Sequence, residues 1–162
     1  MKIIVIADED ELVGQLPEQK AMGRYGCPKA FAVKGNHDSS GKFKSNVEDL
    51  HLSVVEYQGL KFGGFEGSWK YKPNGNYLYE QDYVEKVLSS FPRVDIFIAH
   101  NSPWGIHQRD EETHQGFRGF LSYIEKTQPG IFLHGHQHVN SQTKLGNTEI
   151  VGVYGEQVIE IE

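Results

Sequence analysis

At 162 residues the chain has the length of one domain, spanning residues 1–162, that buries enough surface to stand without disulfides or a structural metal. Its 38% hydrophobic and 23% charged residues exclude a disordered, collagen-like or coiled-coil chain, and a formal charge of −6 (16 Lys plus Arg against 22 Asp plus Glu) gives non-specific nucleic-acid binding no electrostatic support. A single cysteine, Cys27, fits a reducing compartment, and the N-terminal apolar run at residues 3–7 is too short for a signal peptide or membrane span, so the expectation is a cytoplasmic protein without a membrane partner.

Residues 2–7 form a continuous β-branched run closed by acids, the pattern of a strand buried on both faces of a parallel sheet. Pro17 and Gly26 suit the entry and exit of a short helix, with Ala21, Met22 and Tyr25 on one face. A strand at 30–34 ends at Gly35. Two strand-like runs at 52–57 and 60–64, separated by Gln58-Gly59, predict a hairpin, followed by a Gly- and Tyr-rich loop at 64–77. Tyr83, Val84, Val87, Leu88 and Phe91 have helical spacing up to Pro92; a buried strand at 94–99 ends at His100; Phe117, Phe120, Leu121 and Ile124 mark a second helix that stops before Pro129-Gly130. A strand at 131–133 ends at His134, and the tail predicts three consecutive antiparallel strands around 144–145, 149–153 and 157–161.

Four apolar strands therefore run into polar clusters: Asp8-Glu9-Asp10, Gly35-Asn36-His37-Asp38, His100-Asn101-Ser102 and His134-Gly135-His136-Gln137-His138. Ligands bind at the carboxyl edge of open α/β sheets, so the four loops are expected to form one site. Its imidazoles and carboxylates, without a thiolate, suit Mn, Fe, Zn or Ni, one ion or two. The Asn36 amide oxygen completes a metal sphere without adding charge, and Gly35 lets the backbone turn after its strand. His37 then faces the substrate, with Asp38 holding its imidazole in the required tautomer or capping the loop.

In order and in strand context, Gly35-Asn36-His37-Asp38, the lone His100 and Gly135-His136-Gln137-His138 resemble the motifs of calcineurin-like metallophosphoesterases. The resemblance spans essentially the whole chain and points to a small prokaryotic or phage-type branch. It implies an α/β fold, two mixed β-sheets packed as a sandwich and flanked by helices, here in shortened form, with a dinuclear metal centre at the strand ends. Residue by residue, it assigns Asp8, Asp10 and His138 to one metal and Asn36, His100 and His136 to the other, with Glu9 an alternative to Asp10. It further implies a metal-dependent phosphoesterase, a phosphodiesterase or phosphatase acting on a small-molecule or nucleotide phosphoester through a metal-bound hydroxide, with His37 as general acid and Asp38 beside it. Lys70 and Arg118 are candidate substrate-phosphate contacts, or ordinary surface charges.

Two departures bear on activity. Asp10 stands where the family usually has His, a tolerable exchange for Mn or Fe. Asp8 and Gly35 are only 27 positions apart, which leaves room for one crossover where the family fits two, and no Gly-Asp pair occurs in the chain; Gly14-Gln15 is either its remnant or an ordinary turn. Two dications about 3.5–4 Å apart repel by roughly 15–25 kcal/mol at an effective dielectric of about 20, and a bridging aspartate normally offsets this. The alternative expectation is a weakly active or inactive family member that binds metal or phosphate.

Overall fold

The computed structural model describes residues 2–7, 29–43 and 47–161. The chain-order elements are β1 (Lys2–Ala7), β2 (Ala30–Ala32), β3 (Val47–Asp49), β4 (Val54–Tyr57), β5 (Leu60–Phe65), β6 (Ser68–Trp69), β7 (Leu78–Tyr79), α1 (Gln81–Ser89), β8 (Ile96–Ala99), a 3₁₀ turn (Glu112–His114), α2 (Arg118–Thr127), β9 (Ile131–His134), β10 (Ser141–Leu145), β11 (Thr148–Gly152) and β12 (Gly155–Glu160). The helix expected between Pro17 and Gly26 lies outside the described residues.

A six-stranded mixed sheet in the order β10-β11-β9-β8-β5-β4 forms the centre. Its four inner strands are parallel, and the two edge strands are antiparallel hairpin arms. Gln58 and Gly59 turn the β4-β5 hairpin with φ of 50° and 79°, the left-handed pair that matches strand twist.

Period-2 alternation divides the core in two. Phe65, Phe97, Phe132 and Ile150 face the helices and pack with Val84, Leu88, Phe120 and Ile124. Phe62, Ile96, Leu133 and Val151 face the other way, onto Ile3, Phe31, Val33 and Ile159 from the β1, β2 and β12 side. Apolar side chains thus cover both faces of the parallel strands, which is why 96–99 and 131–134 read as unbroken hydrophobic runs.

Strand pairing departs from the sequence reading in three places. β1 is antiparallel, its Lys2 paired with Glu160 and its Ala7 with Gly155 in β12. Consequently β12 leaves the tail meander; only β10 and β11 form the expected hairpin, around Gly146-Asn147. Within the 64–77 loop, Ser68 and Trp69 form β6, which pairs in parallel with β7 just beyond it, and β2 gains a parallel partner in β3. Such pairings are set by tertiary contacts, so local periodicity carries no record of them.

The helices meet through Gly119, where a Cβ would lie 2.8 Å from the Glu85 nitrogen and 2.8 Å from the Val84 carbonyl carbon. Their starts are tied by Gln81, whose Nε2 donates to the Gly116 carbonyl (2.9 Å) while its Oε1 accepts from Arg118 N–H (3.0 Å). Replacing Gly119 by Val forces backbone apart from backbone and is expected to lower stability by about 1–3 kcal/mol in urea unfolding, whereas Ser122→Ala on the exposed face changes it by less than about 0.5 kcal/mol.

Candidate metal centre

The parallel order of β5, β8 and β9 brings their carboxyl ends to one edge, and hydrogen bonds carry that alignment into the loops. His100 N–H donates to the Phe65 carbonyl, and Gly135 N–H donates to the His100 carbonyl (3.0 Å). Across this edge His100 Nε2 lies 2.8 Å from Asn36 Oδ1 and 3.1 Å from His136 Nδ1. Three of the residues expected to hold one metal therefore converge on one point.

The backbone around them explains the motif residues. A Cβ on Gly35 would sit 2.7 Å from His100 Cε1, so glycine is required here by the approach of the imidazole and not by the expected turn. Asp38 Oδ2 accepts from Gly35 N–H (2.6 Å), which closes the Gly35-Asn36-His37-Asp38 loop on itself. This is the loop-capping alternative for Asp38. His37 is exposed at the rim of the cluster. Beyond the loop, Tyr71 OH makes a long 3.5 Å contact with Asn36 Nδ2, and Asn76 Nδ2 donates to the Asp38 carbonyl (3.0 Å).

Burial sets the protonation of the imidazoles. His100 is held well below the usual histidine range, first by loss of solvation and then by the neighbouring His136, His37, His134 and His138. His136 is pushed down to about 4, again mainly by burial. Its Nε2 donates to the Thr113 carbonyl (3.0 Å), leaving Nδ1 as the lone-pair atom that faces His100.

A divalent ion fits this donor set. It offers the His100 Nε2 with the Asn36 amide oxygen 2.8 Å and the His136 Nδ1 3.1 Å from it, and ligands about 2.0–2.1 Å from one ion at nearly right angles are themselves about 3 Å apart. Among the described residues, no three His, Cys, Asp or Glu side chains form such a group, and the third donor here is the Asn36 amide. Asp8, Asp10, Glu9 and Gln15 lie outside the described residues. His138 stands beside the cluster, at 5.7 Å from the His114 ring and stacked on Tyr154 at 5.3 Å.

Lys70 and Arg118 are engaged elsewhere. Lys70 Nζ pairs with Glu80 (3.4 Å), and Arg118 pairs with Asp82 (3.1 Å) and Glu85 (3.6 Å).

Three residues that the motifs did not single out shape the site. His114 stacks on His136 (4.9 Å, 29°), and its Nδ1 lies 2.8 Å from Glu111 Oε2. His107 Nδ1 meets His134 Nε2 at 2.9 Å and pins the loop between β8 and α2 to β9. Gln137 is fully buried between His136 and His138, both left-handed at φ 62° and 52°. Its Nε2 reaches Ser102 Oγ (2.8 Å), the His114 carbonyl (2.8 Å) and Asn101 Oδ1 (3.2 Å), while Oε1 accepts from Arg109 N–H (3.1 Å). Left-handed backbone at non-glycine residues costs about 1–3 kcal/mol each, and these four bonds are what offset it. A buried polar residue at an unspecified motif position was the only signal available in the sequence.

Gln137→Leu is therefore expected to weaken Mn or Zn binding at least tenfold in calorimetric titration. Ile124→Val, a core change remote from the cluster, should lower the melting temperature and leave affinity within twofold.

Known proteins place this geometry. The model of the calcineurin-like phosphoesterase family matches residues 7–140. No curated protein matches the chain. One solved structure aligns with a TM-score of 0.57 at 21% identity, over 76% of this chain and 56% of its own. A hypothetical protein from Thermus thermophilus aligns with a TM-score of 0.49 at 13% identity, over 96% of this chain and 76% of its own. A putative 5′-nucleotidase from Staphylococcus aureus aligns at 0.44 and 14%, over 82% of this chain and 35% of its own. The chain thus spans about half the length of the first solved structure it matches, as a shortened form of the fold would. No helix among the described residues is long and apolar enough to cross a membrane. By its motifs, its fold and the family model that covers most of its length, the chain belongs to the calcineurin-like phosphoesterases.

Proposed function

We propose that the chain hydrolyses a phosphomonoester or phosphodiester with the help of divalent metal. The observation that carries this reading is the meeting of His100 Nε2 with Asn36 Oδ1 and His136 Nδ1 at 2.8 and 3.1 Å. Asn36, His100 and His136 would hold one cation, and Asp8, Asp10 and His138 a second. A divalent cation there supplies charge neutralisation on the phosphate oxygens and lowers the pKa of a water toward neutrality.

The remaining chemistry belongs to side chains. His37, exposed beside Asn36, reaches the leaving oxygen from solvent and donates a proton to it. Gly35 and Asp38 keep that loop closed, so that Asn36 and His37 hold their relative directions. His136 is kept as a lone-pair donor by the Thr113 carbonyl. Lys70 and Arg118, here paired with surface carboxylates, remain candidate contacts for the substrate phosphate.

Purified protein supplied with Mn should turn over bis-p-nitrophenyl phosphate or p-nitrophenyl phosphate. His136→Ala should abolish both turnover and Mn binding. His37→Ala should lower kcat by about 10²-fold or more while metal content stays intact. Metal binding with no turnover across a phosphoester panel would leave the alternative, a binding protein on the same site. No metal binding at all would remove both.

A further inference from the structure

Both tryptophans of the chain, Trp69 and Trp104, line one cavity of about 500 Å³. Glu80 and Asp82 from the start of α1 form another wall, and Gln115 and Arg118 close it where the loop after β8 enters α2. That loop also builds the metal centre. Asn101, adjacent to His100, donates to the Gln115 carbonyl (2.8 Å), and His114, adjacent to Gln115, stacks on His136. The cavity therefore begins one residue from the ring that packs on a candidate metal ligand.

Its charge argues against a phosphate. Arg118 is shared between Asp82 and Glu85, and Lys70 is held by Glu80, so carboxylates outnumber the cations around them. What the cavity offers is flat indole surface, with Trp104 36% exposed, and carboxylate oxygens that accept N–H and O–H groups. A neutral aromatic heterocycle that bears amino groups meets both, because it stacks on indole and donates hydrogen bonds in its plane to carboxylate oxygens. The volume lies within the range of small-molecule sites.

We propose that this cavity binds the nucleobase of a nucleotide substrate, the phosphate of which lies at Asn36, His100 and His136. The location of the phosphate rests on the phosphoesterase reading; the occupancy of the cavity does not.

Because both tryptophans line it, the fluorescence of the metal-free wild-type chain reports its occupancy directly. Titration with adenosine, guanosine or uridine is expected to give a saturable change with at least one of them, and titration with ribose or glucose none. Calorimetry, which does not depend on the fluorophore, should then show the affinity reduced roughly 5–100-fold in Trp104→Ala, the range for loss of one base-stacking aromatic, with unchanged far-UV circular dichroism. Glu80→Gln should weaken the same nucleoside without abolishing stacking. The proposal is overturned by the absence of any saturable change, by full affinity in Trp104→Ala, or by saturation with a sugar and not with a nucleoside. Since the ligands carry no phosphate and the protein no metal, nucleoside binding without phosphoester turnover sinks the phosphoesterase reading alone. Turnover without nucleoside binding sinks the cavity alone.

Discussion

The site depends on one constraint: half-buried His100 stands among other imidazoles in a place that disfavours its charged form. At the end of β8 its ring is packed against Gly35 on one side and faces Asn36 and His136 on the other. Burial and the surrounding imidazoles hold it neutral. Both atoms that approach its Nε2, Asn36 Oδ1 and His136 Nδ1, are acceptors, so without a cation Nε2 must carry a proton. A proton can satisfy only one of those approaches fully at a time, whereas a cation would satisfy all three, which is what makes the cluster a candidate metal centre.

The convergence is maintained by a framework of loops rather than by the strands alone. β8 and β9 fix where His100 and His134 begin, but His136 lies beyond the strand, in left-handed backbone, and must be held by something else. Gln137 holds it by binding the start of the β8–α2 loop through Ser102, its middle through Arg109 and its end through His114. The same loop returns the Thr113 carbonyl to His136 and passes on to Gln115 and the cavity. Metal ligand, tautomer and cavity wall are thus coupled through one buried amide.

Much of this was legible in the sequence because it is written locally. The buried runs before Gly35, His100 and His134 read as parallel strands, and the rule that such strands present ligands at their carboxyl ends brought Asn36, His100 and His136 together before any coordinates. The loop around His37 was legible as a motif, yet the function of its glycine was not: Gly35 is small because of a ring contributed by a strand far away. The partner of β1 was illegible for the same reason, since a β-branched run reads identically whether it pairs in parallel or, as here, antiparallel with β12. For Gln137 and His114 no motif specifies a role, because their meaning lies in hydrogen bonds and ring contacts between loops. The pairing of Lys70 and Arg118 with carboxylates depends on where β6 and the two helices place Glu80, Asp82 and Glu85, which spacing alone does not record.

Charge balance then orders the chemistry of the proposed reaction. The three donors at His100, Asn36 and His136 carry no net charge, so a dication among them would bring its two positive charges unopposed by its own ligands. Anions must come from Asp8 and Asp10 or from the substrate. Around the tryptophan cavity, Lys70 is paired with Glu80 and Arg118 with Asp82 and Glu85. In the proposed reaction a phosphate would meet its strongest attraction at the candidate metal ligands, and a nucleobase would meet its surface at the indoles. Since any coupling between two ligands is reciprocal, a phosphate that supplies the missing negative charge raises metal affinity by the same factor that the metal raises phosphate affinity. In the proposed reaction, a chain without a Gly-Asp pair would rely on this linkage for the work of a bridging carboxylate, and substrate binding would become part of assembling the metal centre.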